Sequence, residues 1–427
     1  MADPTRRRWT RRKVAAGVAA LTGAAVLGAR RGDHGGPHNA YFRKLSQALA
    51  SAGIAHPVLV IDRERLQSNI ATVRTTLAGT RLAVRVVAKS LPAVNLLGVV
   101  ASGLQTNRFM VFNGPMLLET LQWRPDADLL FGKPLAANEV ARALDAAAPL
   151  LGGRPGPRWL ADTVERLQQY EAIGKARGVR LSTALEIDVG LHRGGFRDPA
   201  ALEAALRVIS GSAVLEFGGL MGYDPHVPKM PNPQHAYRSV LAAYEAAVEA
   251  VRERLGGEAL ARATLNTAGS PTYTLHAQDP VATEVAIGSA FVKPKDFDLD
   301  TLAHHVPATF IATPVLKSLD PFVVPGLEAL HPVLRFFDAN TERAFFIHGG
   351  HWLAEPESPP GLEYNRLYGR SSNQELLTGS RSVSLAPDDY LFLRPTQSEA
   401  VLLQFGDLVV YEDGHVTQRW PTFGVSA

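Results

Sequence analysis

Lys89 ends an apolar run, Val86-Val87-Ala88-Lys89. At the end of an apolar strand, desolvation lowers an amine's pKa and favours its neutral, nucleophilic form. A neutral lysine condenses with a carbonyl. The competing reading is a lysine whose stem lies along apolar surface while its head reaches water. Further polar groups close later apolar runs. They are Asp188 to Arg193, then Tyr223-Asp224-Pro-His226, then Gly269-Ser270-Pro-Thr272-Tyr273, then Gly288-Ser289. Small residues let backbone N–H groups approach an anion, and hydroxyls add donors. Gly269, Ser270, Thr272, Gly288 and Ser289 therefore form a candidate phosphate cradle. A lone Gly-Ser is usually a turn. Two such segments after the last strands of a repeating pattern, with a lysine after its first strand, are more specific. His226 and His276 are rival candidates for a base. His348-Gly-Gly-His351-Trp352 offers two histidines for metal binding or acid–base work, or is simply a strand end and turn. Tyr364 to Gln374 is a polar loop, either exposed or covering a neighbouring subunit's site.

Eight apolar runs carry these groups: Leu82 to Lys89, Arg108 to Asn113, Ala127 to Lys133, Arg158 to Asp162, Thr183 to Val189, Leu215 to Tyr223, Ala263 to Gly269, and Glu284 to Val292. Segments of helical spacing separate most of them, such as Asp162 to Lys175 and His235 to Leu255. Strands alternating with helices eight times predict an α/β fold, a (β/α)8 TIM-type barrel of roughly 250 residues. Such barrels carry their chemistry at the C-terminal strand ends, where these residues lie. A doubly wound sheet is the alternative, but no GxGxxG follows the first strand. Beyond about residue 300 the runs become short and strand-like: Ala308 to Leu316, Ala344 to His348, Asp389 to Leu393 and Leu402 to Tyr411. Asp413-Gly414 reads as a hairpin turn. The expected organisation is a leader and linker over 1–35, a barrel over 36–300 and a β-rich C-terminal domain over 301–427. Within 36–62, Val58 to Ile61 either joins the barrel or pairs with the C-terminal domain.

The chain has 427 residues, 46% hydrophobic and 20% charged, with net charge +3. These are globular values, and they argue against a nucleic-acid partner. With no cysteine, disulfides, thiolate metal sites and thiol catalysis are excluded. Basic residues from Arg6 to Lys13 precede an uncharged run, Val14 to Ala29, shorter than the about 20 residues a spanning helix needs. Its length and flanks suit a signal segment, and Thr10-Arg11-Arg12-Lys13-Val14 resembles a twin-arginine export signal. The expectation is export to the periplasm or a retained membrane anchor. The alternative is a cytoplasmic protein with a disordered basic tail.

The assembled motifs resemble a known family. His56-Pro-Val-Leu-Val-Ile-Asp62, Arg85-Val-Val-Ala-Lys89, Asp188-Val-Gly-Leu-His-Arg193-Gly, Gly219-Leu-Met-Gly-Tyr223-Asp-Pro-His226 and Gly406-Asp-Leu-Val-Val-Tyr are similar to fold-type III pyridoxal-phosphate enzymes. That group combines an alanine-racemase-type barrel with a β-domain. The closest likeness is to the D-threonine aldolase and D-serine dehydratase family. The resemblance implies pyridoxal 5′-phosphate bound to Lys89 as a Schiff base. Arg193 would sit at its phenolic oxygen, and Tyr223 at its ring or pyridine nitrogen. Gly269, Ser270, Thr272, Gly288 and Ser289 would surround its phosphate. It further implies a homodimer acting on a small amino acid, as a lyase on D-3-hydroxy amino acids by aldol cleavage or dehydration. His226 and His351 are the candidate acid–base partners of Lys89. A racemase, or a non-catalytic carrier of the cofactor, are the alternatives. Two departures stand out. Gln397 and Glu399 occupy the positions of the family's metal-binding His and Cys or Asp, an oxygen pair suited to Mn or Mg rather than Zn. Val87 and Ser90 replace a His and a Thr beside the lysine.

Overall fold

A computed structural model describes residues 31–424 apart from 268, 279, 280, 325, 327 and 400. The basic stretch, the uncharged run and the twin-arginine-like motif lie outside the described residues. Among the described residues no helix is long and apolar enough to cross a membrane. The chain forms two compact units. Among the described residues, one comprises 58–311, 353–355 and 394–424, and the other 31–57, 312–352 and 356–393. The change of texture read near residue 300 compares with a unit boundary at 311/312, and 394–424 belongs to the barrel unit.

The helix α1 (Ala40–Ser51) lies in the second unit, and the strand β1 (Val58–Asp62) opens the first. The barrel strands are β2 (Ala83–Val87), β3 (Arg108–Val111), β4 (Asp128–Phe131), β5 (Trp159–Ala161), β6 (Leu181–Ile187), β7 (Leu215–Gly222), β8 (Thr264–Thr267) and β9 (Glu284–Ile287). Each of the eight apolar runs has become one of them. Their order is β4-β3-β2-β9-β8-β7-β6-β5, all in parallel pairs. A parallel bridge between Leu130 and Arg158 joins the two ends. The helices between them are α2 (Arg63–Thr76), α3 (Val94–Leu104), α4 (Gly114–Trp123), α5 (Ala137–Leu151), α6 (Val164–Arg177), α7 (Pro199–Gly211), α8 (Pro233–Arg262) and the single turn α9 (Tyr273–His276). Side chains start several of them by accepting an otherwise orphan backbone N–H. Asp62 accepts from Arg65, Asn113 from Met116, Thr163 from Arg166 and Asn232 from His235.

The barrel interior is apolar except for one layer of charge. Arg85 and Glu284 are fully buried and paired, with Arg85 Nη2 donating to Glu284 Oε2 at 2.9 Å. Arg108 donates to the same oxygen at 2.8 Å, and Asn266 Nδ2 to Oε1 at 2.8 Å. Arg85 also reaches Asp128, which Arg158 contacts as well. Burial opposes ionisation of Glu284, but Arg85, Arg108 and Asn266 hold its carboxyl below the usual range.

Outside the barrel, β1 pairs in parallel with β16 (Leu408–Glu412), which pairs antiparallel with β17 (His415–Trp420). The predicted turn is present. Asp413 and Gly414 have φ of 51° and 81°, as a tight two-residue hairpin loop requires. The expected strand from Leu402 to Tyr411 is shorter than its apolar pattern suggested. Residues 401–405 form turns through Val401 N to Ser398 O and Gln404 N to Val401 O, and extension begins only after Gly406, at φ 74°.

The second unit is β-rich. Its strands are β10 (Thr309–Leu319), β11 (Arg343–His348), β12 (Ala354–Ser358), β13 (Glu363–Tyr364), β14 (Gln374–Gly379) and β15 (Tyr390–Pro395), with the helix α10 (His331–Phe337). Unit boundaries fall inside β10, β12 and β15. Its sheet runs β13-β14-β11-β10, and Phe322, Ala344 and Leu376 form a buried cluster on it.

Gly219 marks where β7 lies closest to β8. Its φ is +146°, and a Cβ there would meet the Thr264 carbonyl oxygen at 1.9 Å. Gly219→Ala should lower unfolding free energy by about 3–5 kcal/mol, read by urea denaturation. An effect of less than about 1 kcal/mol would mean that β7 can shift without disturbing the barrel.

Candidate active site

Lys89 follows β2 in a short 3-10 turn, Ala88–Ser90. β2 is held on both sides, with Val87 opposite Met110 and Val86 opposite Ile287, so the lysine's origin is fixed at the barrel mouth. Its Nζ lies 4.8 Å from the Phe112 ring centroid and 3.8 Å from Glu399 Oε1. Burial lowers its pKa. Glu399 opposes the shift, while Arg193 and Lys133 reinforce it.

A cleft of about 570 Å³, its open mouth included, surrounds this amine. Val87, Met110, Phe112, Met221 and Phe297 make its apolar walls, and Arg193, Tyr223, Asn266 and Glu399 its polar ones. Arg193 follows β6 and stacks over Tyr223, its guanidinium carbon 4.8 Å from the ring centroid. Burial pushes the Tyr223 phenol up to about 12, so the hydroxyl stays neutral at physiological pH. The loops after β8 and β9 supply Gly269, Ser270, Gly288 and Ser289 to the same cleft. Ser270 Oγ accepts from both Gly288 N and Ala290 N at 3.0 Å, tying the two loops together. A Cβ on Gly269 would meet the Tyr223 ring at 2.5 Å, and one on Gly288 would meet Ser90 and Val87 at 2.7 and 2.8 Å. Both positions are open because nothing larger fits.

The alanine racemase N-terminal domain family matches residues 61–295. The chain belongs to that family. No curated protein matches it. Solved structures give the fold. D-threo-3-hydroxyaspartate dehydratase from Delftia sp. HT23 is 18% identical, with 86% of this chain and 97% of that chain covered and a TM-score of 0.65. D-threonine aldolase from Filomicrobium marinum is 16% identical, with 86% and 96% covered and a TM-score of 0.65. Alanine racemase from Clostridium difficile 630, in complex with cycloserine, is 12% identical, with 87% and 100% covered and a TM-score of 0.64.

The alanine racemase-type fold implies pyridoxal phosphate, and the cleft of this family member suits it. A partly desolvated amine faces space, a guanidinium that could pair with a phenolate lines the same cleft, and two loops are kept small at their tips. Among the described residues no three His, Cys, Asp or Glu side chains cluster to hold a metal. Gln397 and Glu399 diverge: Gln397 Nε2 donates to Asp296 Oδ2 at 3.2 Å. Glu399 instead lies in the cleft and accepts from Ser90 Oγ at 2.6 Å.

Four other expected residues lie outside the cleft lining. Thr272 does not line the cleft. It is buried, donates to Asp224 and accepts from Gly269 N at 3.2 Å, so it braces the loop after β8 from behind. His226 is not in the lining either; it lies beside Gly190, and its Nδ1 is buried without a hydrogen-bond partner. His351 belongs to the second unit, is exposed and has φ 52°. His276 serves structure: buried, it pairs through Nε2 with Asp224 Oδ2 at 2.8 Å. Asp224 was visible in the sequence only as Tyr223's neighbour. Its role as a double acceptor required seeing two loops meet.

Two outcomes follow from this arrangement. The folded protein disfavours protonated Lys89, while the unfolded chain binds that proton up to about the ordinary 10.5. Stability of the cofactor-free protein therefore rises with pH between the lowered pKa and 10.5. Lys89→Met should raise its melting temperature at pH 7, and the gain should shrink through that window. A gain unchanged with pH would contradict the desolvation. Gly288→Ala should weaken pyridoxal phosphate binding by about tenfold or more, measured by fluorescence titration. Unchanged affinity would show that the cofactor does not use this loop.

Proposed function

We propose that this chain is a pyridoxal-phosphate-dependent lyase acting on D-3-hydroxy amino acids, by aldol cleavage or dehydration. The observation that carries the reading is Lys89, an amine with a lowered pKa, in one cleft with Arg193 and the small-residue loops after β8 and β9. Likeness in fold to D-threonine aldolase and D-threo-3-hydroxyaspartate dehydratase supports the substrate class.

Bound pyridoxal phosphate supplies a carbonyl for amines and a ring that accepts electrons from a bond at Cα. The chain's residues do the rest. Burial shifts Lys89 toward its neutral form, whose Nζ would hold the carbonyl group and could take or return a proton. Arg193 keeps positive charge at the phenolate side of the site. Tyr223, neutral and packed against Arg193, forms part of the cleft wall. Ser270 ties the two loop tips together through Gly288 N and Ala290 N, which lowers the ordering cost of binding an anion.

A racemase is the second reading. Gln397 and Glu399 are engaged with different partners, Asp296 and Ser90, which favours a reading that needs no metal between them. Assembly as a homodimer, and export or anchoring through the segment before Arg31, are part of the same proposal.

Proton NMR in D2O with D-threonine, D-serine and alanine separates these readings. Glycine with acetaldehyde, or pyruvate with ammonia, is the expected result, and Lys89→Ala should lower its rate by at least about a thousandfold. Exchange of the Cα proton with enantiomer formation and no cleavage would establish the racemase. Full activity in Lys89→Ala would sink the mechanism.

A further inference from the structure

We propose that Glu399 selects the substrate's side chain, accepting a hydrogen bond from an uncharged hydroxyl and turning acidic side chains away. The inference rests on the lyase reading and names its substrate class: neutral 3-hydroxy amino acids.

Glu399 is the one carboxylate among the described residues lining the cleft. Three hydroxyls hold it. Ser90 Oγ donates to Oε1 at 2.6 Å, Ser289 Oγ lies 3.4 Å from the same oxygen, and Ser398 Oγ lies 3.1 Å from Oε2. Ser289 and Ser398 also contact each other at 2.9 Å. A carboxylate offers about four acceptor sites, so this one is oriented without being saturated. Its side chain remains 29% exposed, toward the cleft it lines.

The position relative to Lys89 gives the carboxylate its meaning. Nζ is 3.8 Å from Oε1, within ion-pair range and beyond a hydrogen bond. A substrate amine that takes over from Lys89 brings its nitrogen to the same region. The side chain then begins two bonds away, and a 3-hydroxyl is one bond further, within reach of Glu399. A hydroxyl supplies the donor that the carboxylate can still accept. A side chain without one leaves that capacity unused, a loss that sites built around a hydroxyl turn into discrimination. A side-chain carboxylate would meet a like charge against Met110, Phe112 and Phe297, where water screens little. The other charges facing this space are the cations Lys89, Arg193 and, further off, Lys133. Arg193 is stacked on Tyr223 and would be engaged by the cofactor's own anionic oxygen. The selectivity proposed here would set this chain apart from the hydroxyaspartate dehydratase that shares its fold.

The test uses the cofactor-loaded full chain, unmodified and as Glu399→Gln, which keeps shape and hydrogen bonding but removes charge. D-serine, D-alanine and D-aspartate are titrated by stopped flow, reading the shift of the cofactor's visible absorption before turnover. The unmodified protein should bind D-serine at least about tenfold more tightly than D-alanine or D-aspartate. The Gln variant should narrow the ratio of D-serine to D-aspartate affinity by about tenfold, because the like charge that turns D-aspartate away is gone. Equal affinity for D-serine and D-aspartate in the unmodified protein overturns the proposal, as does an unchanged ratio in the variant. Should the variant fail to fold or to load, the unmodified protein's ratio decides alone. Borohydride reduction followed by peptide mapping separates the two levels of inference. Cofactor on Lys89 with a flat selectivity profile overturns only the role of Glu399. No cofactor on Lys89 overturns the lyase reading and this inference together.

Discussion

A guanidinium and a carboxylate buried against each other inside the barrel set the frame for the site above them. Arg85 and Glu284 are both removed from water, and such a pair is tolerated only when geometry and further hydrogen bonds are good. Here they are. Arg108, Asn266 and Asp128 complete the set, so neither charge can leave without stranding the other at a cost of about 3–5 kcal/mol. The pair joins adjacent strands in one register, Arg85 opposite Ala286 and Ala83 opposite Glu284. A one-residue slip would turn the charged side chains out of the barrel and the apolar ones with them. That register carries Lys89 from β2 and Gly288 from β9 to the same side of the same cleft.

Above that layer the site is an arrangement of opposed charge in a half-dry space. Lys89 is pushed toward neutrality by burial and by the cations Arg193 and Lys133, and pulled back by Glu399. Burial is the largest of these influences, and the net shift is toward the neutral amine. Tyr223 and Arg193 brace each other. Asp224 anchors Thr272 and His276, and Ser270 holds the backbone of the loop after β9. Three loops from three strands are thereby linked behind the cleft, which keeps its small-residue tips open without ligand. Preorganisation of this kind lowers the ordering cost of binding an anion.

Eight runs of apolar residues were enough to recognise the barrel, because strand and helix periodicity are properties of neighbours along the chain. Lys89, Arg193, Tyr223, Gly269, Ser270, Gly288 and Ser289 were recognisable because barrels place chemistry at strand ends, and a strand end can be read locally. Thr272 and His276 follow the same strand end yet face away from the cleft, since the turn of α9 rotates successive residues around its axis. The apolar stretch from Leu402 to Asp407 broke the pattern in another way, as turns stopped by a glycine in the left-handed region.

Glu399 shows where local reading ends. In sequence it was half of a weak metal pair with Gln397, two residues away. In the fold those two side chains part, and Glu399 meets Ser90, 309 residues distant, and Lys89 beside it. No periodicity encodes that meeting, because it requires the chain to leave the barrel, build a second unit and return. The same holds for the ionisation of Lys89 and Glu284, which depends on what is packed around them and not on what precedes or follows them. Residue pattern alone specified the barrel and the residues at its strand ends. Folding specified which charges face one another, since electrostatic energy depends on distance and burial in space.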